Sequence, residues 1–129
     1  MFNSIWYDEL IKPAFNPPSE IFAPVWTILY ILIFISLMIY IFTPAEQNKF
    51  RGYIYFTLQL VLNIIWTPIF FYYKNIGLAL LIIISLDIFT YLTLRKFYSV
   101  SRVSGILLIP YLIWIIFATY LNVGFLLLN

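Results

Sequence analysis

The chain has 129 residues, of which 64% are hydrophobic and 9% charged, with a formal net charge of +2 and a mean hydropathy of +1.01. That composition lies outside the range of water-soluble domains and describes an integral membrane protein of one compact domain, residues 1–129. The small, scattered positive charge offers no basic stripe for nucleic acid, and with no Cys and no His the chain has neither disulfides, thiolate chemistry nor imidazole metal ligands.

Residues 1–19 lack the basic start, short apolar run and small-residue cleavage site of a signal peptide, so they are expected to belong to the mature protein. This segment carries Trp6 and Tyr7 and ends in Asn16-Pro17-Pro18-Ser19. Each proline fixes its own φ and disfavours helix in the residue before it, which keeps the chain extended until Ser19 can act as an N-cap.

Four apolar stretches follow: Ile21–Phe42, Tyr53–Tyr72, Ile76–Leu94 and Ser104–Leu128. Each approaches the ~20 residues a helix needs to cross the hydrocarbon layer, which predicts an all-α bundle with helices at about 20–42, 52–73, 75–95 and 103–127. In the first stretch Trp26, Tyr30 and Phe34 recur every fourth residue, while Pro24 falls early enough to cost little. In the second, Gln59, Asn63 and Thr67 with neighbouring Trp66 form a polar stripe that should turn away from lipid, and Pro68 deprives the Ile64 carbonyl of its usual donor. The third holds Asp87, the one acid well within a span, with Ser85, Thr90 and Tyr91 near enough along the helix to bond it. An acid at that depth is a functional-site candidate, although those three neighbours equally suit a structural carboxyl. The fourth carries Pro110, Trp114, Ala118 and Asn122 on one stripe, Ala118 leaving a gap between larger neighbours.

The loops set an orientation. Lys49, Arg51, Arg95, Lys96 and Arg102 gather on one side against Lys12 and Lys74 on the other. By the positive-inside rule the first group faces the cytoplasm, which places residues 1–19 and the C-terminus outside. At ~1.5 Å per residue, Trp26 and Trp66 then lie roughly 8 and 10 Å inside the outer ends of their helices, with Asn122 at similar depth. Indoles, an amide and a small-residue gap at one level beneath an ordered outer segment describe a ligand pocket with a lid. Aromatic belts and core packing use the same residue types, and residue type alone leaves that reading open.

Three blocks of sequence resemble one family. Trp6-Tyr7, Leu10, Lys12-Pro13, Asn16-Pro17-Pro18, Pro24-Val25-Trp26-Thr27 and Leu29-Tyr30 look like the first loop and following helix of the translocator protein (TspO/MBR, peripheral-type benzodiazepine receptor) family. Leu62-Asn63-Ile64-Ile65-Trp66-Thr67-Pro68-Ile69-Phe70-Phe71 is similar to its LNxxWTPxFF signature. Pro110-Tyr111-Leu112-Ile113-Trp114 with Phe117-Ala118-Thr119-Tyr120-Leu121-Asn122 is similar to its PYLxWxxFAxxLN segment.

The resemblance implies a bundle around an outer-half pocket that takes tetrapyrroles and, in some members, sterols or benzodiazepine-type ligands. It makes Pro17 and Pro18 the hinge of a lid. The implied pocket residues are Tyr7, Trp26, Tyr30, Asn63, Trp66, Trp114, Ala118 and Asn122. Family members have five membrane helices; four are expected here, the one before Trp6 being absent. The C-terminal sterol motif is incomplete, since Leu121-Asn122 runs into Val123-Gly124-Phe125 with no following Lys or Arg, which favours a tetrapyrrole over cholesterol.

A metal-free porphyrin is expected to bind at least as tightly as haem, because only Tyr or Met could ligate iron. Porphyrin is thus read as a ligand, with no obligatory cofactor and no metal site. The family also suggests a homodimer, although Gly52, at one end, is the one glycine of the second expected helix and lends no small-xxx-small motif. A bacterial cytoplasmic membrane is the default location, with bacterial and mitochondrial outer membranes both found among relatives. Three roles fit the sequence: a receptor or sensor, a carrier for such ligands, and an enzyme of light- and oxygen-dependent porphyrin breakdown. No nucleophile–base pair can be assembled for hydrolysis, and the first stretch lacks the acid on which small four-helix drug exporters rely.

Overall fold

The computed structural model describes residues 22–73 and 75–128. The expectations for Tyr7, Pro17, Pro18 and the lid concern residues outside that range. The elements are α1 (Phe22–Phe42), α2 (Phe50–Thr67) continuing into a π-helical turn (Pro68–Tyr72), α3 (Ile76–Val100), α4 (Arg102–Leu107) and α5 (Ile109–Leu128). Pro24–Phe42, Phe50–Phe70, Ile76–Val100 and Arg102–Leu128 are each long and apolar enough to cross a membrane. The described residues therefore form an all-α integral membrane bundle with four such spans.

Three boundaries differ from those read in the sequence, each for a local reason. The second span does not stay α-helical to its end: Pro68 has no N–H to give, and the turn it begins widens to i→i+5 bonding, with the Tyr73 N–H donating to the Pro68 carbonyl at 2.9 Å. The third helix runs past residue 95 to Val100 and stops at Ser101, whose extended backbone (φ −144°, ψ 120°) ends α3 and whose hydroxyl accepts from Ser104 N–H to start α4. The last span breaks at Leu108, two residues before Pro110, whose ring would collide with the Ile106 carbonyl in a continuous helix.

The helices run up and down, since the end of α1 meets the start of α2 and the end of α3. Tyr40 stacks on Phe97 with ring centroids 4.0 Å apart, and Phe97 stacks on Phe56 at 5.9 Å. Tyr40 Oη donates to the Lys49 carbonyl, while Lys49 Nζ donates back to the carbonyls of Tyr40, Ile41 and Thr43. A cation bonded to the last carbonyls of α1 satisfies acceptors that the helix leaves open and meets the negative end of its dipole.

Lipid tails are as apolar as Leu, so close packing and interhelical hydrogen bonds hold such a bundle together rather than burial from water. Both devices occur where α4 meets its neighbours. Ser36 and Ser104 exchange bonds, each hydroxyl donating to the other's carbonyl at 2.7 Å. Gly105 lies so close to α3 that a Cβ there would stand 2.7 Å from the Tyr98 Cα and 2.9 Å from its backbone nitrogen. The buried face of α1 is Leu29, Ile33, Ser36 and Tyr40. This corrects one expected stripe: Phe34 is 61% exposed, because the Ser36–Ser104 pairing turns its side of α1 outward.

Candidate functional site

Trp26, Tyr30, Asn63 and Trp114 come together from three helices, joined by a residue the sequence reading passed over as a site residue. Tyr111, on the first turn of α5, is buried, and its ring meets the edge of Trp26 at 6.4 Å. Trp26 lies perpendicular to Trp114, with ring centroids 6.4 Å apart and planes at 88°, and 5.6 Å from Tyr30. Edge-on geometry is favoured because the positive edge of one ring faces the negative face of the other.

A chain of hydrogen bonds runs under these rings. Tyr30 Oη donates to Asn63 Oδ1, Asn63 Nδ2 donates to Tyr111 Oη at 2.8 Å, and Tyr111 Oη donates to Gln59 Oε1 at 2.8 Å. Each hydroxyl gives its one proton and each amide its matching atom, so the directions are fixed by the inventory of donors. Gln59 Nε2 is buried with no partner. Gln59 and Asn63 are therefore interior, as their stripe on α2 implied, and Tyr30 keeps 41% of its surface exposed at the rim.

A second group lies one turn along α2. Trp66 Nε1 donates to Asn122 Oδ1 at 3.0 Å, Asn122 Nδ2 donates to the Ile76 carbonyl at 3.0 Å, and the Trp66 ring stacks on Phe70 at 5.1 Å. The π-turn holds Phe70 buried on that side, against Phe125 at 5.8 Å. On α5, Ala118 is buried between Trp114 and Asn122, its single methyl keeping that stretch of the helix narrow. Trp66 packs on the aromatic residues around Phe70 and also on the larger core shared by Trp26 and Trp114.

The structure thus joins the expected residues into two linked sets, Trp26–Tyr30–Asn63–Trp114 and Trp66–Ala118–Asn122. Both amides are engaged within the protein, so a ligand's polar edge would exchange with bonds that already exist. The buried positions of α5 are Tyr111, Ile115, Ala118, Leu121, Asn122 and Phe125, and apart from Leu121, which adjoins Asn122, they follow a 4-3-4-3 spacing. That periodicity, visible in the sequence, could have picked out Tyr111; Pro110, taken as part of the stripe, is exposed.

Asp87 stands apart. Its partner is Thr119 on α5, at 2.6 Å, whereas Ser85 bonds the Leu81 carbonyl and neither Thr90 nor Tyr91 bonds the carboxyl, so none of the expected neighbours on α3 holds it. Among the described residues no cluster of three His, Cys, Asp or Glu side chains occurs that could hold a metal ion.

Residues 1–128 match the model of the TspO/MBR family. The chain is similar to the tryptophan-rich protein TspO of Archaeoglobus fulgidus, 44% identical over 128 residues that make up 96% of this chain and 80% of that protein. It is 35% identical to the tryptophan-rich sensory protein of Cereibacter sphaeroides over 117 residues, 91% of this chain and 72% of that one. The human translocator protein is 35% identical over 122 residues, again 91% of this chain and 70% of the relative. With matches of this length, and with the indoles and amides of the three sequence blocks assembled in one bundle, the chain belongs to the TspO/MBR family.

Proposed function

We propose that this protein is a membrane receptor or sensor for tetrapyrroles, which it takes between the indoles of α1, α2 and α5. The observation that carries the reading is the perpendicular Trp26–Trp114 pair at 6.4 Å, set beside the Tyr30–Asn63–Tyr111 bond chain. A broad macrocycle gains dispersion and quadrupole contacts from such rings, and its propionates or pyrrole edges can trade bonds with Tyr30, Asn63 or Asn122. The name of the Cereibacter relative, a sensory protein, agrees with a receptor, and the human relative's name, translocator, keeps a carrier as the neighbouring alternative. Lys49, Arg51, Arg95, Lys96 and Arg102 gather at the end of the bundle opposite the start of α3, which supports a cytoplasmic position for that end.

The test is a tryptophan-fluorescence titration of the detergent-purified protein with protoporphyrin IX, beside Trp114→Ala. Saturable binding that the variant weakens by well over tenfold, which is more than about 1.4 kcal/mol, is the expected result. Unchanged affinity in a folded variant would remove the indole site from the account.

A further inference from the structure

Roughly midway along α3, Asp87 places a carboxyl where the surrounding positions are Ile88, Tyr91, Leu92, Leu112 and Ile116, which with it line a groove of about 330 Å³ between α3 and α5. The contact that holds it has one feature that bears on where the protons are. Thr119 Oγ1 lies 2.6 Å from Asp87 Oδ2 and 2.8 Å from the Ile115 carbonyl oxygen. Both are bonding distances, yet a hydroxyl has a single proton and a carbonyl has none. With Asp87 ionised, the single hydroxyl proton would have to be shared between two acceptors in one three-centre bond, weaker at each. A second proton, on the carboxyl, gives each contact a full bond of its own.

We propose that Asp87 is a proton-binding site: a neutral carboxylic acid whose Oδ2–H donates to Thr119 Oγ1, while the Thr119 hydroxyl donates to the Ile115 carbonyl one turn back. Asp87 Oδ1 supports the same state, since it is buried and has no partner. Ionisation would spread charge onto an oxygen with no donor in an apolar setting, whereas in the acid that atom is an ordinary carbonyl oxygen.

Among the described residues no cation bonds this carboxyl. On α3, Tyr91 follows one turn on and Arg95 two turns on, its guanidinium 5.8 Å from the centre of the Tyr91 ring, while Lys96 donates to Gln47 Oε1. α5 presents Tyr111 and no charged residue; α1 and the π-turn have no charge, and α2 and α4 have Arg51 and Arg102, both in their first turns. The site lies about a quarter turn around α5 from Tyr111, Ala118 and Asn122, and it ties α5 to α3. It does not depend on the tetrapyrrole reading.

The experiment is infrared spectroscopy of the full chain in detergent, with carboxyl-¹³C aspartate incorporated. Asp8 and Asp87 are the two aspartates, so an Asp8→Asn background leaves the label on Asp87 alone. The expected result at neutral pH is a protonated-carboxyl C=O band that shifts with the label and vanishes in Asp87→Asn. Because the folded state would then hold one more proton than the unfolded state, wild-type stability falls as pH rises, by up to tenfold in the folding equilibrium per unit. Asp87→Asn, which keeps a donor for Thr119, should lose that dependence. A labelled band absent at neutral pH, or parallel pH profiles for the two proteins, would overturn the proposal. If Asp87→Asn does not fold, the labelled spectrum decides alone.

Discussion

Replacing Tyr111 with Phe tests whether the buried bond chain, rather than ring packing, organises the site. The substitution keeps the ring and its edge contact with Trp26 while removing one oxygen. That oxygen accepts from Asn63 Nδ2 and donates to Gln59 Oε1, both at 2.8 Å. Without it two polar atoms lose their partners, and Gln59, whose Nε2 is already unpaired, would have no side-chain bond left. Orphaned buried groups cost about 1–3 kcal/mol each in water-soluble proteins, but bonds within membrane bundles average about 0.6 and reach about 1.7. Two bonds on the membrane scale give a loss of about 1–3 kcal/mol, or roughly fivefold to 150-fold in the folding equilibrium. The assay is reversible SDS unfolding in mixed micelles, run also in a Gln59→Leu, Asn63→Leu background where the partners are gone. There Tyr111→Phe should cost almost nothing. A loss below about 0.3 kcal/mol in the wild-type background, or an equal loss in both, would refute the reasoning.

The close helix contact and the second amide give two further tests. Gly105→Ala should destabilise by about 1–3 kcal/mol in the same assay, at the upper end because its methyl would meet the Tyr98 backbone rather than a mobile side-chain tip; a neutral result would mean that α3 and α4 are not so close. Trp66→Phe keeps an aromatic surface but deletes the donor to Asn122, so a loss of about 1 kcal/mol in stability is expected, together with weaker protoporphyrin quenching at saturation because one reporter indole is gone. If stability does not change, the Trp66–Asn122 bond contributes nothing.

Much of the molecule was readable before any coordinates. The four spans follow from composition and length, and the interior placement of Gln59 and Asn63 follows from the expense of exposing an amide to lipid. What failed to show has a common cause. In an aqueous protein the polar face of a helix identifies the buried one, but on α1 both faces are apolar, and the stripe through Phe34 looks as good as the true one through Leu29, Ile33, Ser36 and Tyr40. Asp87 was matched to neighbours on its own helix because local spacing is all a sequence displays, while its partner Thr119 is thirty-two positions away. Tyr111 was in view within a quoted block, but its role depends on Asn63 and Gln59 arriving from α2.

The Lys49 clasp bears on how the bundle can open. One end of α1 is secured by the bonds around Tyr40, Lys49 and the Ser36–Ser104 exchange, whereas toward Trp26 the helix packs through apolar Leu29 and Ile33, through ring edges and through the Tyr30 bond to Asn63. A rod fixed in that way behaves as a lever. From Tyr40 to Trp26 it measures about 21 Å, so a tilt of about 5° leaves the clasp almost undisturbed yet carries the indole sideways by roughly 2 Å. Small rocking of one helix, with no change in its fold, would therefore shift the Trp26 ring contacts far more than the Tyr40–Phe97 stack.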